Sequence, residues 1–156
     1  TRRRRRTRET DSRRVASLVA WALTGCAIQP GLALWAVRTC ALVGVVFVPP
    51  DAHAPLTATR ALSLCVLAPL FEERLYRGLV FGAVAATPAR HARALAVLAS
   101  SVCFALPHLE PVHVAATLLA GLALGSARRR TGRLAPCIAM HAGMNVAAAW
   151  PPTGFA

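Results

Sequence analysis

The feature that most constrains this chain is a group of four charges in the middle of a long apolar stretch. Between Leu62 and Phe81 the chain reads LSLCVLAPLFEERLYRGLVF, with two carboxylates and two guanidinium groups among apolar side chains. If this stretch crosses a bilayer, each unpaired charge near the centre costs about 2.5 to 3.5 kcal/mol on insertion scales. The four charges must therefore pair with one another or face a water-filled cavity.

Helical spacing lets two of these charges pair. Glu73 and Arg77 are four residues apart, so they share one helix face with the acid N-terminal to the base, which is the favourable order. Glu72 points about 100° away from Glu73. We predict an ion pair between Glu73 and Arg77, with Glu72 left free to act. A purely structural ion-pair cluster near the membrane interface is the alternative at this stage.

The composition indicates a membrane protein made of helices. Hydrophobic residues make up 56% of the 156 residues and the mean hydropathy is +0.50, above the range of ordinary soluble domains. Ala and Leu dominate the apolar segments, and an open sheet could not satisfy its backbone groups in lipid. We predict an all-α, polytopic membrane helical bundle of about five to six apolar helices. Its last four helices are predicted at 61–86, 92–109, 111–127 and 134–149.

The N-terminal third is predicted to anchor the chain. Residues 1–14 form a basic, cytoplasmic tail with a net charge of +6, from eight Arg against Glu9 and Asp11. The uncharged stretch Val15 to Val37 has 23 residues, too long for the apolar region of a signal peptide and long enough to cross a bilayer. We therefore divide the chain into the tail, an anchor and linker at 15–56, and a core at 57–150.

The net charge of +12 comes from 18 basic residues, all of them Arg. The basic tail lacks interleaved aromatic residues and any nucleic-acid-binding module, so we predict membrane lipids as partners and no specific nucleic acid. If every Arg-rich segment faces the cytoplasm, the tail shares that side with Arg90, Arg93 and a loop at 128–133. This arrangement needs an odd number of crossings by residues 15–48, where Pro30-Gly31 would be a natural break.

The five cysteines are scattered and form no CxxC pair. Each lies within or beside an apolar segment, so we predict small buried hydrophobic residues and neither a disulfide framework nor a metal cage. They are Cys26, Cys40, Cys65, Cys103 and Cys137.

Two further polar elements lie on later apolar segments. His108 follows Phe104-Ala105-Leu106-Pro107, where the proline disturbs the helix so that backbone as well as imidazole can face a cavity. His141 and Asn145 are four residues apart and share a face of the last helix, with Gly143 between them allowing close approach of a neighbour. Taken singly, each of these polar residues could be structural.

Together the three elements follow a specific order. They read EExxxR from Glu72 to Arg77, FxxxH from Phe104 to His108, and HxxxN from His141 to Asn145. The pattern resembles the CAAX-protease and bacteriocin-processing family, also called the Abi family, which includes type II CAAX prenyl endopeptidases. The resemblance covers about residues 57 to 150.

The resemblance implies an intramembrane endopeptidase in a prokaryotic plasma membrane, acting on a membrane-associated peptide or protein. By position in the motifs, Glu72 and His108 would activate the catalytic water, and His141 and Asn145 would stabilise the oxyanion. Supporting roles would fall to Glu73, Arg77 and Phe104. Physical chemistry is compatible with these roles, because a carboxylate can act as a general base and an amide N–H can stabilise a developing oxyanion.

The residues leave the role of a metal open. Glu72, His108 and His141 would together make a zinc site with one free position. The HExxH spacing of many zinc proteases is absent, and no cysteine is placed as a ligand. We expect a metal-free mechanism without a cofactor and keep zinc as the alternative.

Two other functions share the same residues. A non-catalytic immunity or scaffold protein could keep the fold and bind a peptide, although retention of every motif residue argues against it. A small proton or solute transporter could also use buried Glu and His. Transport predicts internal repeats or paired broken helices, and the sequence has neither.

Overall fold

The computed structural model describes residues 2–42, 44, 57–108 and 111–149. Within these ranges the chain is helical without a strand, which confirms the all-α prediction. Residues 45–56, at the end of the predicted anchor and linker, lie outside the described residues, as do 150–156. The described residues form five α-helical segments, which are α1 (Arg2–Leu42), α2 (residues 58–85), α3 (Ala92–Ala105), α4 (Pro111–Thr131) and α5 (Ala135–Ala149).

Helix α1 runs without interruption through Pro30, so the predicted break at Pro30-Gly31 is wrong. Packing on both sides of the proline accounts for the continuity. Ile28, which precedes Pro30 in the chain, packs against the core. Ala36 and Cys40, which follow Pro30, are buried. Neighbouring helices commonly hold a proline within a helix in this way.

Among the described helices, only the segment Thr10–Leu42 of α1 is both long and apolar enough to cross a membrane. Only 6% of its most apolar stretch is buried within the protein, so most of its apolar surface points outward. Helix α2 is also long, roughly 40 Å at 1.5 Å per residue, but carries the four central charges. The predicted number of five to six membrane helices therefore stays a prediction.

Helix α2 contains a wide π-helical turn at Ser63–Leu67, which ends two residues before Pro69, and a second π-helical segment at Arg74–Val80. The N–H of Ala68 donates to the carbonyl five residues earlier instead of four. The next residue, Pro69, has no N–H. The carbonyl of Leu64 is therefore left without a backbone donor inside its own helix, which makes it available to a neighbouring helix.

Helices α3 and α4 form a close antiparallel pair that depends on two glycines. A Cβ at Gly121 would lie 3.0 Å from the backbone of Ser101, and one at Gly125 would lie 3.1 Å from Val97. Such small residues let helix backbones approach closely. After α3 a short 3₁₀ turn, Leu106–His108, continues the chain, as expected where Pro107 ends a regular helix.

The basic loop predicted at 128–133 is mostly helix. Helix α4 extends to Thr131, and only Gly132, in the left-handed conformation at φ +66°, begins the turn. The Gly132 N–H donates to the carbonyl of Arg128. Arginines in the last turn of a helix interact favourably with its negative end, which explains the extension beyond the predicted end at residue 127.

Helix α1 packs directly against α5 through small residues. A Cβ on Gly25 would collide with the carbonyl of Met140, and a Cβ on Gly143 would collide with the carbonyl of Ala22. Residue numbers rise along α1, from Ala22 to Gly25, as they fall along α5, from Gly143 to Met140. The two helices are therefore antiparallel. The Sγ–H of Cys26 also donates to the carbonyl of Gly143, at 3.2 Å.

This direction separates the two Arg-rich parts of the chain. The N-terminal end of α1 lies toward the C-terminal end of α5, whereas residues 128–133 lie at the N-terminal end of α5. The charge pattern predicted that the tail and residues 128–133 lie on the same side of the bundle. The structure places them at opposite ends, so this prediction is wrong. The direction of α1 follows from its close contact with α5 through small residues. The number of positive charges in a segment does not predict such a contact.

The core lies between α3, α4 and α5. Its buried cluster is Phe104, Leu124, Ala127, Cys137, Met140 and Met144, covered by Trp21 and Ile28 of α1 and Tyr76 of α2. All five cysteines are free, as predicted. Cys40 and Cys137 are buried, but Cys103 is exposed on α3, so the prediction that every cysteine is buried is wrong for that residue.

Candidate active site

Glu73 lies at the centre of the site and joins two helices. Its Oε1 accepts a hydrogen bond from Nη1 of Arg77 at 3.0 Å and lies 2.9 Å from Nδ1 of His141. The side chains of Glu73 and Arg77 are completely buried, and that of His141 is 7% exposed. The predicted pairing of Glu73 with Arg77 is present, and the carboxylate also orients the ring of His141.

Arg77 holds three parts of the bundle together. Its Nη2 donates to the carbonyl of Gly121 on α4 at 3.0 Å. Its guanidinium carbon lies 4.5 Å from the ring centre of Phe104, a cation–π distance. The buried charge is therefore balanced by Glu73, a backbone carbonyl and an aromatic face, which limits the cost of burying it.

Glu72 occupies a different environment from its neighbour. Its Oε2 lies 3.9 Å from Nε2 of His141, and its side chain is 38% exposed. That separation is beyond hydrogen-bonding distance, so both atoms can still bind a third group. As the spacing predicts, the two adjacent carboxylates differ: Glu73 is fixed within the protein and Glu72 is accessible.

The two histidines lie against the same aromatic ring. The ring centre of Phe104 lies 5.6 Å from that of His108 and 5.5 Å from that of His141, the latter in an edge-to-face arrangement. Tyr76 adds a third edge-to-face contact at 5.4 Å. His141 is buried, whereas His108 is exposed on its 3₁₀ turn. Phe104 thus links the second motif to the third.

Asn145 connects α5 to the wide turn in α2. Its Nδ2 donates to the carbonyl of Leu64 at 2.7 Å, the carbonyl freed by the π-helical turn before Pro69. An amide has two N–H groups, so one remains available after this bond. The side chain is half-buried and lies one helical turn from His141.

Three contributors to this site were not identified from the sequence. Pro69 releases the carbonyl that Asn145 binds, and a proline inside an apolar helix was the available signal. Arg128 donates from Nε to the carbonyl of Arg77 at 3.1 Å. The carbonyl of Gly121 accepts a hydrogen bond from the guanidinium of Arg77. Every residue has a backbone carbonyl, so the residue type could not indicate this role.

The donor atoms of the site do not gather as metal ligands do. Within the described residues, no three His, Cys, Asp or Glu side chains lie close enough together to hold a metal ion. In the alternative zinc set, the Nδ1 of His141 lies against Glu73, which leaves its Nε2 free to bind another group. The choice between a metal-free mechanism and zinc bound by Glu72, His108 and His141 therefore stays a prediction.

Comparison with known families identifies the class of protein. The family described as Type II CAAX prenyl endopeptidase Rce1-like matches residues 54–147 of this chain. The chain belongs to this family. The match spans α2 to α5 and includes all three motifs, and it agrees with the resemblance stated above. No curated protein and no solved structure matches the chain.

Membership of the Rce1-like family places the chain among integral membrane endopeptidases of the CAAX-processing type. The site described above lies wholly within the matched region. Helix α1 lies outside the match, yet it packs against α5, with Gly25 against the carbonyl of Met140 and Gly143 against the carbonyl of Ala22. The helix that carries His141 and Asn145 is therefore held between the matched core and an additional N-terminal helix.

Proposed function

We propose that this chain is an intramembrane endopeptidase that hydrolyses a peptide bond of a membrane-associated peptide or protein with water activated by Glu72 and His108. The observation that carries the proposal is the contrast between adjacent carboxylates. Glu73 is buried and bonded to Arg77 and His141, while Glu72 is accessible beside Nε2 of His141. Two carboxylates with separate environments suit separate tasks.

In the proposed reaction Glu72 acts first as general base and then as general acid. Its carboxylate takes a proton from water as the water oxygen bonds to the peptide carbonyl carbon, forming a tetrahedral intermediate. The carboxyl group then returns the proton to the leaving nitrogen as the C–N bond breaks. His108 is exposed beside the buried ring of Phe104, and it contributes by contacting the water or the substrate.

The negative charge on the former carbonyl oxygen would be stabilised by His141 and Asn145. A protonated His141 offers Nε2–H, and Asn145 offers the N–H that the Leu64 carbonyl does not use. Donors fixed before the reaction are effective because they need little reorganisation. Glu73 and the wide turn of α2 provide that fixation for His141 and Asn145 respectively.

The test is a cleavage assay on the purified chain in detergent, with a library of quenched peptides. Glu72→Gln keeps the shape of the side chain but cannot take the proton, so we expect the turnover rate to fall by about 10²- to 10⁴-fold. His108→Ala should also lower the rate. His91→Ala is its matched control, since His91 is likewise an exposed histidine but lies outside the site.

The unfolding temperature of each variant must be measured in the same detergent. Loss of cleavage in folded Glu72→Gln, with full activity in His91→Ala, supports the proposed roles. Full cleavage by Glu72→Gln contradicts the role of Glu72. Absence of cleavage by the unaltered chain on every peptide, with retained peptide binding, would favour the non-catalytic alternative.

A further inference from the structure

A basic cavity lies at the end of α2, away from the candidate active site. Its volume is about 320 Å³. Its walls combine three arginines with a small apolar surface, an arrangement suited to a ligand with an anionic head and an apolar body. The residues that matter are Arg93, Arg128, Arg129, Phe81, Gly82 and Ala86.

Arg128 is fixed in this cavity instead of extending into solvent. Its Nε donates to the carbonyl of Arg77, and its guanidinium lies 5.7 Å from the ring centre of Phe81. These contacts leave the two terminal nitrogens, each a hydrogen-bond donor, for another group. A guanidinium held in one place is well suited to bind a phosphate or carboxylate with two parallel bonds.

The helices that line the cavity carry no carboxylate beyond Glu72 and Glu73. No Asp or Glu occurs between residues 74 and 108 or between 111 and 149. Glu72 and Glu73 lie close to Arg77 and His141, and neither pairs with Arg93, Arg128 or Arg129. Three positive charges around one cavity, without a carboxylate partner among the described residues of α2 to α5, favour an anion from outside the chain.

The distance of the cavity from Glu73 along α2 corresponds to about half the thickness of a membrane. Along α2, Phe81 and Ala86 lie roughly 12 and 20 Å beyond Glu73, at 1.5 Å per residue. Half of a bilayer's hydrocarbon thickness is about 15 Å. If Glu73 lies at the centre of a membrane, these distances place the cavity near the level of the lipid phosphates.

We propose that this cavity binds the phosphate of an anionic phospholipid, held by Arg93, Arg128 and Arg129, with the adjoining glycerol and acyl carbons against Phe81 and Ala86. Arg128 also binds the backbone of Arg77, so an occupied cavity would brace the end of α2 that follows the candidate active site. This proposal goes beyond peptide hydrolysis and does not depend on it.

The experiment measures binding of fluorescent phosphatidylglycerol to the full chain in detergent, by anisotropy, with fluorescent phosphatidylcholine for comparison. The double variant Arg93→Gln/Arg129→Gln should weaken phosphatidylglycerol binding by about 25-fold, from about fivefold for each arginine. Arg130→Gln is the control, because Arg130 is exposed in the same helical turn but does not line the cavity.

A second variant fills the cavity without removing charge. Nothing lies within 4 Å of a Cβ built on Gly82, so Gly82→Leu should fold normally while occupying the space that the lipid needs. We expect it to abolish the preference for phosphatidylglycerol over phosphatidylcholine. Thermal unfolding of both variants, measured without anionic lipid, establishes that they are folded.

Three results would overturn the proposal. They are an equal loss of binding in Arg130→Gln, unchanged binding in Gly82→Leu, and displacement of the lipid by a competing small anion. For the last, inorganic phosphate and a short peptide with a free C-terminal carboxylate are each compared with unlabelled phosphatidylglycerol. Equal competition by phosphate would indicate a general anion site, and equal competition by the peptide a substrate subsite.

Discussion

Glu73 and His141 are 68 residues apart in the sequence, yet Oε1 of one lies 2.9 Å from Nδ1 of the other. The same oxygen accepts from Arg77 on its own helix. This contact fixes the ring of His141 and directs its second nitrogen toward Glu72. Glu73 therefore acts through His141 and Arg77, as a positioning residue within the proposed site.

The first prediction separates the two carboxylates by stability. Glu73→Gln removes the buried partner of Arg77, so we expect it to lower the free energy of unfolding by about 3 to 5 kcal/mol. Glu72→Gln should cost less than about 1 kcal/mol, since its side chain is 38% exposed and makes no short contact. Denaturation in detergent measures both. Similar losses of unfolding free energy in the two variants would show that Glu73 does not stabilise the fold more than Glu72 does.

The second prediction concerns Asn145 and the wide turn of α2. Asn145→Ala should lower stability by about 0.6 to 2 kcal/mol, because the carbonyl of Leu64 loses its donor. Pro69→Ala restores a backbone N–H that can serve the same carbonyl. The cost of Asn145→Ala should therefore be smaller in the Pro69→Ala background. Equal costs in the two backgrounds, measured as a double-mutant cycle, contradict the coupling.

The third prediction tests the contact between α1 and α5. Gly25→Leu places a side chain against the carbonyl of Met140 and should lower stability by about 1 to 3 kcal/mol or displace α1. Gly31→Leu makes the same change on the same helix where nothing lies within 4 Å, so it should have little effect. Thermal unfolding of both variants gives the comparison. Equal stability of the two would mean that α1 does not pack as described.

The fourth prediction concerns metal dependence. Because no three metal-binding side chains of the described chain gather together, cleavage should continue after treatment with a strong chelator. Metal analysis of the purified chain should find less than one zinc per molecule. Chelator-sensitive cleavage that zinc restores would instead support the alternative site of Glu72, His108 and His141.

The local parts of the site could be predicted from spacing alone. A separation of four residues on a helix was enough to pair Glu73 with Arg77 and to place His141 and Asn145 on one face. The ends of α2, α3 and α5 also lie close to their predicted positions, because turn residues and charges limit where an apolar helix can continue. Helix α4 was predicted too short, since the arginines of its last turn resemble a loop.

Contacts between helices could not be predicted in the same way. The carbonyl of Leu64 accepts from Asn145 because α2 and α5 are in contact at these two residues. Arg128 donates to the carbonyl of Arg77 because α4 lies beside α2. These partners include backbone atoms, which every residue possesses. Residue type therefore gives little indication of which carbonyl will be used.

The sequence by itself determined that this chain is helical, that it carries charges needing partners in an apolar setting, and which motifs carry them. Only the tertiary structure decided that Glu73 serves His141 while Glu72 stays accessible, that α1 runs antiparallel to α5, and that three arginines share one cavity. The physical reason is distance. Helical periodicity orders neighbours within one helix, whereas contacts between helices depend on how closely small residues such as Gly25 and Gly143 allow backbones to approach.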